Sequence, residues 1–173
     1  MIPGAVPGLV VLGLVVLVPA ALGAAAWWLH RRYVVVTVRG MSMAPTYRPG
    51  DRVLVRRGLS GLATDDVVVV GEPDPVTGWR GAAPLDGRVT GRGWYIKRVV
   101  AVGGDRYPVE VGLRGTCPPG HVALLGDNVL SSDSRSHGPC PGEQVLGVVV
   151  RRMVPAPGEG EGEPEATGGS PRV

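Results

Sequence analysis

The sequence predicts a mostly β protein, with a single N-terminal transmembrane helix followed by a small all-β domain. Three observations carry that expectation. Residues 1–29 contain no charged side chain. Beyond them, short Val-rich segments recur between Gly, Pro and Asp turn signals, the pattern of strands. No stretch of clear helical amphipathicity interrupts them. The 173 residues include 28 Gly and 17 Pro, about a quarter of the chain and close to the range of low complexity. The Val-rich stretches are nevertheless dense enough for a core, and one domain is expected at this length.

The first element is Val6 to Leu29, VPGLVVLGLVVLVPAALGAAAWWL. As a helix it is about 36 Å long, enough to cross a bilayer core of about 30 Å. Trp27 and Trp28 suit the interface, and Pro19 is where a kink is expected. The run is longer than the apolar stretch of a cleaved signal peptide, and no basic segment precedes it. Residues 1–32 are therefore read as an anchor. His30-Arg31-Arg32 follows it, and the positive-inside rule alone would leave the rest of the chain in the cytoplasm.

Strands are expected at Tyr33–Val38, Arg52–Arg56, Val67–Val70, Trp94–Val102, Val109–Leu113, His121–Leu125 and Gln144–Met153. Glu72 to Gly93 is rich in Gly and Pro and reads as a long loop. The β domain accordingly spans 33–154, enough chain to close a small barrel or sandwich. Residues 155–173, PAPGEGEGEPEATGGSPRV, are acidic with almost nothing to bury and are expected to be disordered.

Composition excludes some functions and marks one residue. The formal charge is +3, and the basic residues are spread out without blocks interleaved with aromatics, so no nucleic-acid partner is expected. Two cysteines, Cys117 and Cys140, cannot by themselves make a tetrahedral zinc site, and neither metal nor cofactor is implied. Among the 18 basic Lys and Arg residues only Lys97 is a lysine. Where charge suffices, a GC-rich coding bias lets Lys drift to Arg. A lysine needed as a neutral amine cannot drift, because arginine does not deprotonate in proteins.

Three segments offer chemistry. Ser42 lies in GMSMAPT, just after the first expected strand, where Gly40 permits close backbone approach and Pro45 restrains Ala44. Leu29 and Ser42 are 13 positions apart, a reach of roughly 43–47 Å at most, so Ser42 lies near the membrane if the anchor spans it. Met41 and Met43 beside it are adaptable apolar side chains, suited to lipid or substrate. Lys97 lies in WYIKRVVA, and strand alternation puts it on the face of Tyr95, Val99 and Ala101, with Arg98 opposite. Burial there lowers an amine pKa, and a neutral amine can take a serine proton. The third segment, GDNVLSSDSRSHG (126–138), supplies hydroxyls and a carboxylate–guanidinium pair. Alone it also accommodates a Ser-His-Asp set using His137, though without the glycine-flanked serine elbow of such sites.

Together the segments GMSMAPT (40–46), GDRVLV (50–55), KRVVAVGGD (97–105) and GDNVLSSDSRSHG (126–138) resemble the type I signal peptidase family of membrane-bound Ser/Lys endopeptidases, in a compact bacterial form. The resemblance implies an all-β catalytic core outside the cytoplasm, against the Arg31-Arg32 signal. It also implies signal-peptide-bearing precursors as substrates, cut after small residues. Ser42 is then the nucleophile and Lys97 the general base. Ser131 orients the lysine, with Ser132 as the other candidate because the last box is one residue short. Asp127 pairs with Arg98, and Asp133 with Arg135. The oxyanion region is Ser42 and Gly40, where Gly40 offers no hydroxyl and a second donor is required. An oxidising location also makes a Cys117–Cys140 disulfide possible, if the strands next to them are neighbours.

Other readings weigh less. A self-cleaving repressor would need a DNA-binding module where the apolar run lies. A dedicated maturation protease for one partner precursor fits the same residues. A catalytically inactive, membrane-tethered β-domain predicts losses at Ser42 or Lys97, and both residues are present.

Overall fold

The computed structural model describes residues 6–79 and 93–153, with side chains from Val15 onward. The expected tail, 155–173, and most of the Glu72–Gly93 loop lie outside the described residues. Helix α1 covers Val6–Arg32 and ends in His30, Arg31 and Arg32. Arg31 stacks on the Trp27 ring and Arg32 on that of Trp28, so the basic end of the helix is tied to the two tryptophans of its preceding turn. Among the described residues, no helix is long and apolar enough to cross a membrane.

The strands are β1 (Tyr33–Thr37), β2 (Arg52–Arg57), β3 (Val67–Gly71), β4 (Trp94–Val102), β5 (His121–Leu125), β6 (Cys140–Pro141) and β7 (Val145–Met153). They form one antiparallel sheet in the order β1-β2-β7-β3-β4-β5-β6. Strand β7, the last among the described residues, therefore inserts between β2 and β3. Strand β3 lies at the centre and is buried at every position. This explains its unbroken VVVV run, since both faces pack. Val68 and Val70 face a cluster with Trp79, Val99, Val122, Leu124 and Val148. Val67 and Val69 face another with Met43, Val53, Val55, Ile96 and Leu146. Register shifts at Leu54/Val55, Val69/Val70 and Val99/Ala101 curl the sheet around these clusters.

Two expectations are corrected. Val109–Leu113 is not a strand: Val109–Val111 forms a 3-10 turn, opened by Pro108 and closed by Gly112 at φ 72°. Proline fixes the entry, glycine takes the left-handed exit, and Val109 is left 92% exposed. The Cys117–Cys140 pairing is not formed, and both residues are buried free thiols. Cys140 pairs with Val122 and packs with it, whereas Cys117 packs with Ala123. Consecutive strand residues point to opposite faces, so β5 separates the two sulfurs. Two short elements were not expected: β6, and helix α2 (Ser134–His137) with Asp133 as its N-cap. The last strand begins at Val145, because Gly142–Gln144 forms a 3-10 turn.

Gly147 marks the closest backbone approach, opposite Arg57 on β2 and Val69 on β3. A Cβ there would lie 2.1 Å from the Arg56 carbonyl oxygen, and that backbone cannot yield without breaking the ladder. Gly147→Ala is therefore expected to cost about 1–3 kcal/mol by overpacking, read as a lower urea midpoint. An unchanged midpoint would contradict this strand arrangement.

Candidate active site

The loop that carries Ser42 is fixed at both ends. At its base the Val38 amide donates to the Asp51 carbonyl (2.8 Å) and the Gly50 amide to the Val38 carbonyl (3.0 Å). Within it Ala44 N donates to Met41 O (3.1 Å) and Tyr47 N to Met43 O (2.8 Å). The two methionines differ: Met43 is 0% exposed in the core and Met41 58% exposed beside the cleft. One side chain nails the loop down, which leaves half-buried Ser42 at the surface of a rigid turn. Gly40 occupies the left-handed region at φ 76°, where its freedom lets the chain turn from β1 into this loop.

Lys97 projects from β4 and is 1% exposed. Its Nζ donates to Ser131 Oγ at 2.5 Å and lies 5.1 Å from the centre of the Tyr95 ring. Burial pushes the amine down to about 8; Asp133 opposes that shift and Arg135 adds to it. The hydroxyl that meets the lysine is thus Ser131. Ser132 Oγ lies instead 2.7 Å from His137 Nε2.

The segment from Gly126 to Arg135 supplies the rest. Asp133 is fully buried and accepts from Gly126 N (3.0 Å), Arg135 N (3.1 Å), Arg135 Nε (2.9 Å) and Arg135 Nη2 (2.7 Å). Burial works to raise the Asp133 carboxyl, but the Arg135 and Gly126 hydrogen bonds outweigh it and hold it below the usual range. With Asp133 so engaged, the Ser132–His137 contact is not extended into a triad through that carboxylate. On the opposite side of β4, Arg98 grips Asp127 in two parallel bonds of 2.9 and 2.7 Å. Burial again opposes ionisation of Asp127, and hydrogen bonds from Arg98 and Thr46 lower its pKa overall. Thr46 belongs to the Ser42 loop, so Asp127 joins that loop to the sheet.

Ser42, Lys97, Ser131, Asn128 and Gly40 line one cleft of about 930 Å³. Its contents can support nucleophilic catalysis: a fixed hydroxyl, a buried amine able to be neutral near pH 8, and a second hydroxyl on that amine.

Two residues that organise this cleft were missed from the sequence. Asn128 donates its amide to the Ser42 carbonyl (3.0 Å) and its Nδ2 to the Met41 carbonyl (3.2 Å), while its own carbonyl accepts from Ser131 N (3.1 Å). It buckles the Ser42 loop to the Ser131 loop. As the one Asn of the chain it carried the same compositional signal as Lys97. Gly126 carried no signal beyond its turn. A Cβ there would lie 2.1 Å from Ser131 Oγ and 2.6 Å from the Ser42 carbonyl oxygen.

Residues 10–113 match the family model described as signal peptidase, peptidase S26, a range that contains Ser42 and Lys97. Mitochondrial inner membrane protease subunit 1 of Schizosaccharomyces pombe is 32% identical over 127 residues, covering 68% of this chain and 71% of that protein. The protein of the same name from Xenopus tropicalis is 32% identical over 130 residues, covering 70% and 69%.

Gly126→Ala is expected to push Ser131 away from Lys97 and to cost about 1–3 kcal/mol. Because the chain has one lysine, the displacement is readable as a shift of a single labelled lysine side-chain NMR signal. A variant with wild-type stability and an unmoved signal would contradict the packing described.

Proposed function

The chain belongs to the signal peptidase S26 family, and from that premise we propose that it is a membrane-anchored serine endopeptidase that removes signal or leader peptides from exported proteins after small residues. The observation that carries the reading is the buried Lys97 amine, held on Ser131 in the cleft that also contains Ser42. Neutral Lys97 takes the proton from Ser42 Oγ as that oxygen bonds to the scissile carbonyl carbon. Ser131 holds the amine so that its lone pair faces the nucleophile. The carbonyl electron pair moves onto oxygen, where the Ser42 amide and a second donor near Gly40 stabilise it. Collapse breaks the C–N bond, and protonated Lys97 gives its proton to the leaving amine. Water then attacks the ester, loses its proton to Lys97, and Ser42 recovers the proton as the acid leaves.

In this proposal the charge-free run Val6–Leu29 is a single-pass anchor in the cell membrane, and the β domain lies outside the cytoplasm beside the lipid. Arg98–Asp127 and Arg135–Asp133 keep the two loops in register without touching substrate. The relatives' names support a membrane protease. The second reading, a dedicated maturation protease for one partner precursor, uses the same Ser42, Lys97 and Ser131 cleft. A panel of exported precursors separates the two: a general enzyme cuts many, a dedicated one a single member.

Ser42→Ala and Lys97→Met are each expected to lower kcat/KM by about 10³-fold or more. Lys97→Met should be no less stable than the parent at neutral pH, since it removes a buried amine that is costly to protonate. In the parent, kcat/KM should rise with pH through a midpoint near 8, because only the deprotonated amine is a base. An activity flat between pH 6 and 9, or substantial turnover by Lys97→Met, would defeat the assignment.

A further inference from the structure

The cleft has a charged feature that the Ser42–Lys97 chemistry does not use. Its walls mix apolar side chains, Val36, Val53, Val69 and Ile96 among them, with polar ones, and Glu72 is the one carboxylate among its described lining residues. Glu72 directly follows β3, and its amide donates to the Gly93 carbonyl at 3.0 Å, just before β4 begins. The carboxylate is positioned, not merely present. Tyr95 donates its hydroxyl to Oε1 at 3.3 Å. A Cβ on Gly93 would lie 1.9 Å from Oε2, so the carboxylate rests against backbone that only glycine leaves uncovered. Burial and then the negative charge of Glu72 raise the Tyr95 phenol, so Tyr95 stays a neutral donor.

The distance to the reaction centre is bounded by the same contacts. Lys97 Nζ is 5.1 Å from the Tyr95 ring centre, and the Tyr95 hydroxyl is 3.3 Å from Glu72. With the ring's own dimensions this puts the carboxylate at most about 11 Å from the amine, the length of three to four residues of extended chain. A peptide lying in the cleft would strip water from Glu72, and a desolvated carboxylate without a cation is costly. Arg39, a permanently charged side chain in the lining, belongs to the Ser42 loop, a different element.

Resting on the reading of Ser42 and Lys97 as the catalytic pair, we propose that Glu72 makes the cleft select precursors with an arginine or lysine side chain within about four residues of the scissile bond. Glu72 thus sets specificity by pairing with the cation of the correct substrate and repelling acidic residues at the same position.

The test uses the full chain in detergent micelles and one cleavable peptide, with Ala, Arg or Glu placed in turn at each of four positions on either side of the bond. At one position Arg is expected to raise kcat/KM over Ala by about three- to tenfold, as for a partly exposed ion pair, and Glu to lower it. Salt should weaken the preference. Glu72→Gln should erase it while the all-Ala peptide is cut at the parental rate, and Glu72→Arg should invert it towards the Glu peptides. The same charge ranking in the parent and Glu72→Gln, or no ranking at all, would overturn the proposal. Cleavage of the all-Ala peptide by Ser42→Ala would instead overturn the reading of the site, and a parent that cuts no peptide would overturn both.

Discussion

The Lys97 amine sits inside the sheet with Ser131 Oγ 2.5 Å away and almost no contact with solvent. An ammonium at that position loses hydration that one hydroxyl does not replace, which is why its pKa falls to about 8. Much of the neighbouring structure can be understood from that single constraint. Asp133 alone would stabilise the protonated form, yet its carboxylate is clasped by Arg135, whose positive charge offsets it at the lysine. Burial is the largest influence on the amine, so it decides the direction of the shift.

The two guanidinium–carboxylate pairs divide a mechanical task. Arg98–Asp127 ties the start of the 126–138 segment to β4, and Thr46 brings the Ser42 loop to the same carboxylate. Asp133–Arg135 caps the short helix α2 and holds the end of that segment, with Asp133 also accepting from Gly126. Ser131 lies between these anchors, and Asn128 fastens it to the backbone of Met41 and Ser42. A hydroxyl on one loop and an amine on a strand thereby meet on fixed supports. In the proposed mechanism this prior ordering reduces the cost of aligning nucleophile and base.

How much of this was legible in the sequence depended on whether the signal was local. Trp94–Val102 and His121–Leu125 occur with the expected bounds, because their alternation and turn signals lie within the segment itself. The face shared by Lys97 and Tyr95 followed from strand periodicity in the same way. Val109–Leu113 misled because a Val-rich run between Pro and Gly reads as a strand, while pairing depends on a neighbour that the run cannot specify. The choice between Ser131 and Ser132, the fit of Gly126 and the separation of the two cysteines all depend on contacts between distant segments. No residue pattern within one segment encodes them. Composition was informative at Lys97 and, unrecognised, at Asn128, because a single occurrence against a strong coding bias marks a side chain that charge or size alone does not explain.

The central claim is that burial leaves Lys97 largely able to act as a neutral base near pH 8. Since the chain contains one lysine, NMR of protein labelled with ¹³C and ¹⁵N at lysine reports this amine alone. Titration of its side-chain signals should give a midpoint near 8 in the folded protein, moving towards the ordinary 10.5 on unfolding. A midpoint near 10.5 in the folded state would contradict the account.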